Sequence, residues 1–345
     1  MKFGLIFALQ DPPNGENLPR LYDEVFTQAE LAEDVGFDAF FLPEHHQMPD
    51  GYLPAPLTFA AGLAARTQRA QIGTGILQLP LYHPLHVAEQ MAVVDNIAKG
   101  RCILGVGLGL VEQEFNAFEI PLSAAAARFT ESVHILRKAW SGQTFSHHGE
   151  HFNFDNVTIT PRPVRQPPIW IGAMSTITLK RAGRIGDGWL SDPLHHFDVM
   201  KTWAEMYRTA AQEAENPRIE IGIMRNAWVG ESQADVERLW WPHVRDFHLF
   251  YLRLGFFSSG RFNTKWEPWI KEVKSEDEWT YERVAPNRLL CGTPDQVIAD
   301  LRRYEQEVGC QYMIFMLRCP GGPGHEETMR CIKLFGEEVL PHFTS

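Results

Sequence analysis

Asp38-Ala39-Phe40-Phe41-Leu42-Pro43-Glu44-His45-His46 is the stretch on which the fold turns. Its first five residues are short and mostly apolar, and they follow Val35-Gly36, a helix-stop signal, so they read as a buried strand. Pro43 cannot donate to a sheet ladder and ends it. One carboxyl and two imidazoles follow at once, groups that titrate or bind metal near neutral pH. Neighbouring side chains at a strand end point in opposite directions, so His45 and His46 cannot both face one mouth. Glu44 is available to orient or polarise a ring.

Outward from this stretch the chain alternates. Residues 17–36 carry Leu21, Val25, Ala29, Ala32 and Val35 on one helical face. Helices are expected over 54–69, 85–98, 123–140 (with Ser123 as N-cap), 175–184, 197–215, 232–254 and 326–340. Strands are expected over 1–7, 71–77, 101–106, 169–171, 188–191, 219–229 and 312–316. Thr293-Pro294-Asp295-Gln296 opens one more helix as a capping box. With 38–42, eight apolar strands alternate with helices, which predicts one (β/α)8 TIM barrel spanning 1–345. Two stretches break the period: 142–168, read as a hairpin excursion, and 255–287, dense in aromatics. Barrel enzymes place their chemistry at the C-terminal strand ends, and Glu44-His45-His46 lies at one.

Bulk properties narrow the function. The 345 residues are 44% apolar and 22% charged, an ordinary globular composition. A formal charge of −11 argues against nucleic acid or an anionic membrane as partner. No apolar run reaches the roughly 20 residues of a membrane span, and residues 1–7 read as a strand rather than a signal peptide. The five cysteines form no CxxC pair and read as reduced thiols of a cytoplasmic protein.

Three further segments offer chemistry. Gly105-Val106-Gly107-Leu108-Gly109 resembles part of a dinucleotide fingerprint, but the following helix is expected only near Ser123, so the spacing is wrong. Glycines at a strand end let a flat ring lie on the backbone, or simply permit a tight bend. Gly172-Ala173-Met174-Ser175-Thr176-Ile177-Thr178 joins small residues to a helix N-terminus and two hydroxyls, as a phosphate site requires. His147-His148-Gly149-Glu150-His151 has the composition of a metal cluster but lies in the hairpin, away from the rim, so no metal is assigned. His195-His196 follows a strand and is a candidate for the mouth. The aromatic stretch 255–287 reads either as a lid or as a satellite core.

In this order the motifs resemble the bacterial luciferase-like, flavin-dependent monooxygenases over nearly the whole chain. The resemblance is carried by Phe40 to His46, Ile72-Gly73-Thr74-Gly75, Leu79-Pro80, His83-Pro84 and Glu89-Gln90. Lys99-Gly100-Arg101, Gly105-Val106-Gly107, Glu114-Phe115, residues 172–178, Cys291-Gly292-Thr293-Pro294 and residues 329–335 continue it. It implies a barrel binding reduced FMN delivered by a separate reductase, and oxygenation of a small organic substrate by O2 through a C4a-peroxyflavin. A homodimer is implied too. The family's catalytic acid/base falls on His45, and its non-prolyl cis peptide under the flavin on Gly75-Ile76. Flavin-facing backbone falls on Gly107 to Val111, including Leu110. Phosphate binding falls on Met174, Ser175 and Thr178, beside Ala173.

Two departures stand out: the light-emitting members have a phosphate-binding arginine where this chain has Leu108, and a reactive cysteine where it has Gly107. Light emission is therefore not expected, and the lost charge predicts either weaker FMN retention or a phosphate counter-charge from elsewhere. The alternatives are a hydride-transfer enzyme using the 5-deazaflavin coenzyme, a non-enzymatic flavin-binding protein, and a metal-dependent barrel hydrolase. The adjacent His45-His46 spacing does not suit the last.

Overall fold

The computed structural model describes residues 1–253, 255–257 and 262–343. Its centre is built from β1 (Lys2–Ile6), β2 (Ala39–Leu42), β3 (Gln71–Thr74) and β4 (Cys102–Gly107). These are followed by β5 (Ile169–Gly172), β6 (Gly188–Leu190), β7 (Glu220–Val229) and β8 (Tyr312–Met316). Each strand pairs in parallel with the next. β8 returns to β1 with Tyr312 opposite Lys2, which closes the sheet. The expected (β/α)8 barrel is the fold.

The interior explains why these strands close. Phe41 of β2 stacks on Trp170 of β5 at 5.8 Å, and Trp170 meets Tyr312 of β8 edge-on at 4.8 Å. None of these strands are neighbours, so the rings meet across the barrel. Glycines opposite make the room: a Cβ at Gly73 would lie 2.7 Å from the Phe41 ring, and one at Gly188 2.6 Å from Trp170. The fill is a packed core rather than a pore, and truncating such a ring costs about 3–5 kcal/mol.

Several boundaries move for identifiable reasons. β3 stops at Thr74, a cis peptide joins Gly75 to Ile76, and the chain resumes as the two-residue strand Leu77–Gln78, paired with β4. Ser123 does not cap a helix; a single 3-10 turn, Leu122–Ala124, leads into the helix Ala125–Ala139. A six-residue helix, Glu112–Ala117, stands in the loop after β4, well before the expected start. The helix expected over 232–254 is capped by Ser232, passes through a π-helical turn at Val236–Trp240 and is described to Arg253. Leu254 and residues 258–261 of the aromatic stretch lie outside the described residues. Thr293 donates its N–H to Gln296 Oε1 (2.8 Å), as the capping pattern predicts.

The first insertion is the expected hairpin, Phe145–His148 antiparallel to Asn153–Val157. In the second, Trp279 is wholly buried and packs on Trp269 and Phe257, a satellite core beneath the segment. Among the described residues no helix is long and apolar enough to cross a membrane.

Candidate active site

A cleft of about 1360 Å³ opens at the C-terminal ends of the strands, and His45 stands in its wall. The strand ends at Leu42, and the backbone N–H of His45 is held by the Leu53 carbonyl at 3.2 Å. Its Nδ1–H donates to Glu114 Oε1 at 2.8 Å, and the side chain keeps 28% exposure. The ring packs 4.8 Å from Tyr52. With Nδ1 engaged, Nε2 is the atom left for a ligand in the cleft.

His46 turns away, as strand alternation requires. Its Nε2–H donates to Glu44 Oε1 at 3.1 Å, and its ring meets Phe118 edge-on. Glu44, 3% exposed, also accepts from the Gln78 N–H and the Tyr82 hydroxyl. The ring that Glu44 orients is that of His46; Glu44 also holds the strand Leu77–Gln78, while Glu114 holds His45.

Glu114 was quoted from sequence only as part of the family motif series, and its role beside His45 was not read there. It lies on the helix Glu112–Ala117, which follows β4 through Gly109 at φ +75°. A Cβ at Gly109 would strike Gln78 Oε1 and crowd the Phe115 ring, so the turn needs glycine. Phe115, fully buried against Leu81 and Ala125, anchors the helix and turns Glu114 inward. There Oε1 also accepts the His46 N–H (2.8 Å) and Oε2 the Gln78 amide (2.9 Å). Burial pushes this carboxyl up, but the bonds from His45, the His46 backbone and Gln78 prevail and hold it below its ordinary range. An ionised Glu114 fixes the Nδ1–H tautomer of His45.

The flavin-facing residues expected from sequence gather in the same cleft: Gly75, Ile76, Gly107, Leu110, Ala173, Met174, Ser175 and Thr178 all line it. Val111 does not; it starts the six-residue helix, its carbonyl accepting the Glu114 N–H at 3.1 Å. Ile76 fills the space beside Gly107 and Gly172, where added Cβ atoms would lie 2.6 and 3.0 Å from its side chain.

At the far end, the helix Thr176–Ile185 begins on a capping box. Thr178 Oγ1 accepts the N–H groups of Ser175 (3.0 Å) and Met174 (3.2 Å), and the two hydroxyls lie 2.9 Å apart. Capping thus occupies both hydroxyls, and the first-turn N–H groups of Thr176 and Ile177 remain for an anion. Lys265 and Lys271 also line the cleft and bring it positive charge, where Leu108 brings none.

His195 is not part of the wall. It is fully buried, its Nδ1–H donating to both Asp192 oxygens at 2.8 Å and its Nε2 accepting the Asn263 N–H at 3.3 Å. It stacks on Phe262 at 4.1 Å and so ties the second insertion to the loop after β6. His196 caps the helix Phe197–Glu213. Phe257, Phe262, Asn263 and Thr264 line the cleft, so the insertion is both a cover for the mouth and, through Trp279, a satellite core. Of the hairpin histidines, His147 pairs with Glu131 and His148 with Asp155. Among the described residues no three metal-ligating side chains come together to hold an ion.

Asp192 provides a pH-dependent prediction. Burial pushes its carboxyl up, but the His195 ring, the Leu194 N–H and Arg225 outweigh this and bring it down to about 2 from 3.8. A depressed acid stabilises the fold above its unfolded value, and that contribution is lost as pH falls through the folded value. The wild type should therefore exceed Asp192→Asn in stability by about 2 kcal/mol near neutrality. In urea denaturation this gap should shrink steadily between pH 4 and pH 2.

Known proteins share this fold. The chain is 29% identical over 333 residues to an F420-dependent glucose-6-phosphate dehydrogenase of Nakamurella multipartita, covering 92% of this chain and 91% of that one. It is 26% identical over 354 residues to the oxygenase component of a flavin-dependent trigonelline monooxygenase of Acinetobacter baylyi, covering 100% and 96%. Its structure superposes on monooxygenase RslO1 from Streptomyces bottropensis with a TM-score of 0.81 and 28% identity, covering all of both chains. Relatives of both coenzyme types mark it as an oxidoreductase. The profile of the luciferase-like monooxygenases matches residues 1–310, and the chain belongs to that family.

Proposed function

We propose that this protein is a flavin-dependent monooxygenase that uses reduced FMN, supplied by a separate reductase, and O2 to oxygenate a small organic substrate. The observation that carries the reading is the size of the cleft around His45. At about 1360 Å³ it exceeds the roughly 300–1,000 Å³ of a site for one drug-sized ligand, so a flavin and a second molecule fit together.

The residues present suit FMN. Ile76, Leu108 and Leu190 offer apolar contact for a ring system, and the N-terminus of the helix Thr176–Ile185 accepts a phosphate. Lys265 and Lys271 supply counter-charge in place of the absent arginine. Bound reduced FMN provides the electrons with which O2 is activated. The chain's own part is to hold His45 Nε2 at the cleft as a proton donor or acceptor, with Glu114 fixing the opposite edge of the ring. The aromatic wall formed by Phe247, Phe257 and Phe262 excludes water from the reacting centre.

A second reading, hydride transfer with a 5-deazaflavin coenzyme, is favoured by the F420-dependent relative of comparable identity. Thermal unfolding with each coenzyme at equal concentration separates the two. The FMN reading predicts that FMN raises the midpoint, by a free energy of about 2.7 kcal/mol at a hundred times its dissociation constant, and that F420 does not. The reverse order would replace it with the deazaflavin reading.

A further inference from the structure

Two tyrosines stand in the cleft wall with unused hydroxyls. Tyr52 follows β2, and Tyr251 lies in the last turn of the helix Trp241–Arg253; both line the cleft. Among the described residues, neither phenol oxygen has a hydrogen-bond partner, and neither is one of the sealed unpaired atoms of the interior. Both oxygens therefore keep some exposure, on residues that line the cleft, although Tyr52 as a whole is only 9% exposed.

Their neighbours define what they can bind. Burial pushes both phenols up, Tyr251 to about 12, and the nearby carboxylates act in the same direction: Asp50 and Glu114 on Tyr52, Asp192 and Glu114 on Tyr251. They remain protonated donors at any ordinary pH. The Tyr52 ring lies 4.8 Å from His45, and the Tyr251 ring packs 5.2 Å from Phe247. Met224, Phe257 and Met316 complete an apolar wall. The carboxylates of Asp192 and Glu114 are already satisfied by protein donors, so they compete for neither hydroxyl, but their charge disfavours an anion. Two donors without acceptors in an apolar chamber select a neutral ligand with one strong acceptor.

We propose that the inner cleft binds an apolar ring compound through a single neutral carbonyl oxygen, which accepts hydrogen bonds from the hydroxyls of Tyr52 and Tyr251 beside His45. This names the substrate class for the oxygenation proposed above and rests on that reading for the identity of the other ligand. The recognition itself needs no flavin, so it is measured separately.

The test uses acetophenone, ethylbenzene and benzoate as probes, titrated calorimetrically into the wild type, Tyr52→Phe, Tyr251→Phe and the double variant, with FMN titrated into the same samples. Circular dichroism melting checks that each variant folds. The wild type should bind acetophenone about tenfold more tightly than ethylbenzene, and benzoate more weakly than acetophenone. Each single substitution should reduce the preference for acetophenone about threefold and the double should abolish it, with ethylbenzene and FMN affinities unchanged. Equal binding of acetophenone and ethylbenzene, a preference that survives the double substitution, or benzoate binding more tightly than acetophenone would each overturn the proposal. If FMN binds and the ketone preference is absent, the tyrosine assignment fails and the flavin reading stands. If the ketone preference is present and FMN does not bind, the flavin reading fails instead.

Discussion

His45→Asn is expected to lower turnover by about 10²- to 10⁴-fold, the range over which one general acid–base group acts, while the fold is kept. Asparagine is close in size and can still donate to Glu114, so the loss isolates the imidazole Nε2 rather than the packing around it. Two readings accompany the rate. The limb of the pH profile that belongs to the imidazole should vanish in the variant, and the dissociation constant for FMN should stay within a few-fold of wild type. Retained turnover would remove His45 from the chemistry. A large loss of FMN affinity would make it a binding residue. Glu114→Gln is the natural companion, because its one carbonyl oxygen can still accept from the His46 backbone and His45, while the charge that faces His45 and the acceptor for the Gln78 amide are removed.

Gly105→Ala is expected to produce the largest loss of stability, about 3 kcal/mol or more. Gly105 sits within β4 against β3, and an added Cβ would collide with the Thr74 carbonyl oxygen and meet its carbon at 3.0 Å. Thr74 Oγ1 donates to the Gly105 carbonyl at 2.6 Å, so the two backbones are drawn together from both sides. A flexible side chain could move aside; a main-chain carbonyl in a closed barrel cannot. The measurement is the denaturation midpoint against wild type, with Ala173→Gly as a control for a methyl change in the cleft wall that creates no clash. A midpoint for Gly105→Ala within experimental error of wild type would show that β3 and β4 separate more easily than the packing implies.

The barrel was legible from sequence because its strands are apolar on both faces and short, and its helices carry apolar stripes. β2 and β4 are buried along their whole length, which is what an unbroken apolar run signals. Glu44-His45-His46 was legible as a rim group because Pro43 ends the strand just before it, and the choice of His45 within the group came from the family resemblance. Glu114 was not, since a six-residue helix has too few turns to show a period. Its role comes from Phe115 and Gly109, whose constraints appear only when the loop after β4 folds onto Gln78. The glycines at 107 and 172 were recognised as close-approach sites, and within the chain itself the side chain beside both is Ile76, which no local pattern announces. His195 carried the sequence marks of a rim residue and became instead a buried tie between two loops. Local pattern distinguishes buried from exposed faces. It does not say which of two polar side chains will find a partner 70 residues away, as His45 finds Glu114.

The central claim, that this cleft holds reduced FMN and directs its reaction with O2 through His45, is tested most directly by rapid mixing. Protein loaded anaerobically with reduced FMN is mixed with oxygenated buffer while flavin absorbance and hydrogen peroxide are followed together. The account predicts reoxidation in two resolved phases, with peroxide released only in the second and the ratio of the two rates altered in His45→Asn. A single phase at the rate of free reduced FMN, releasing peroxide from the start and indifferent to the substitution, would contradict it.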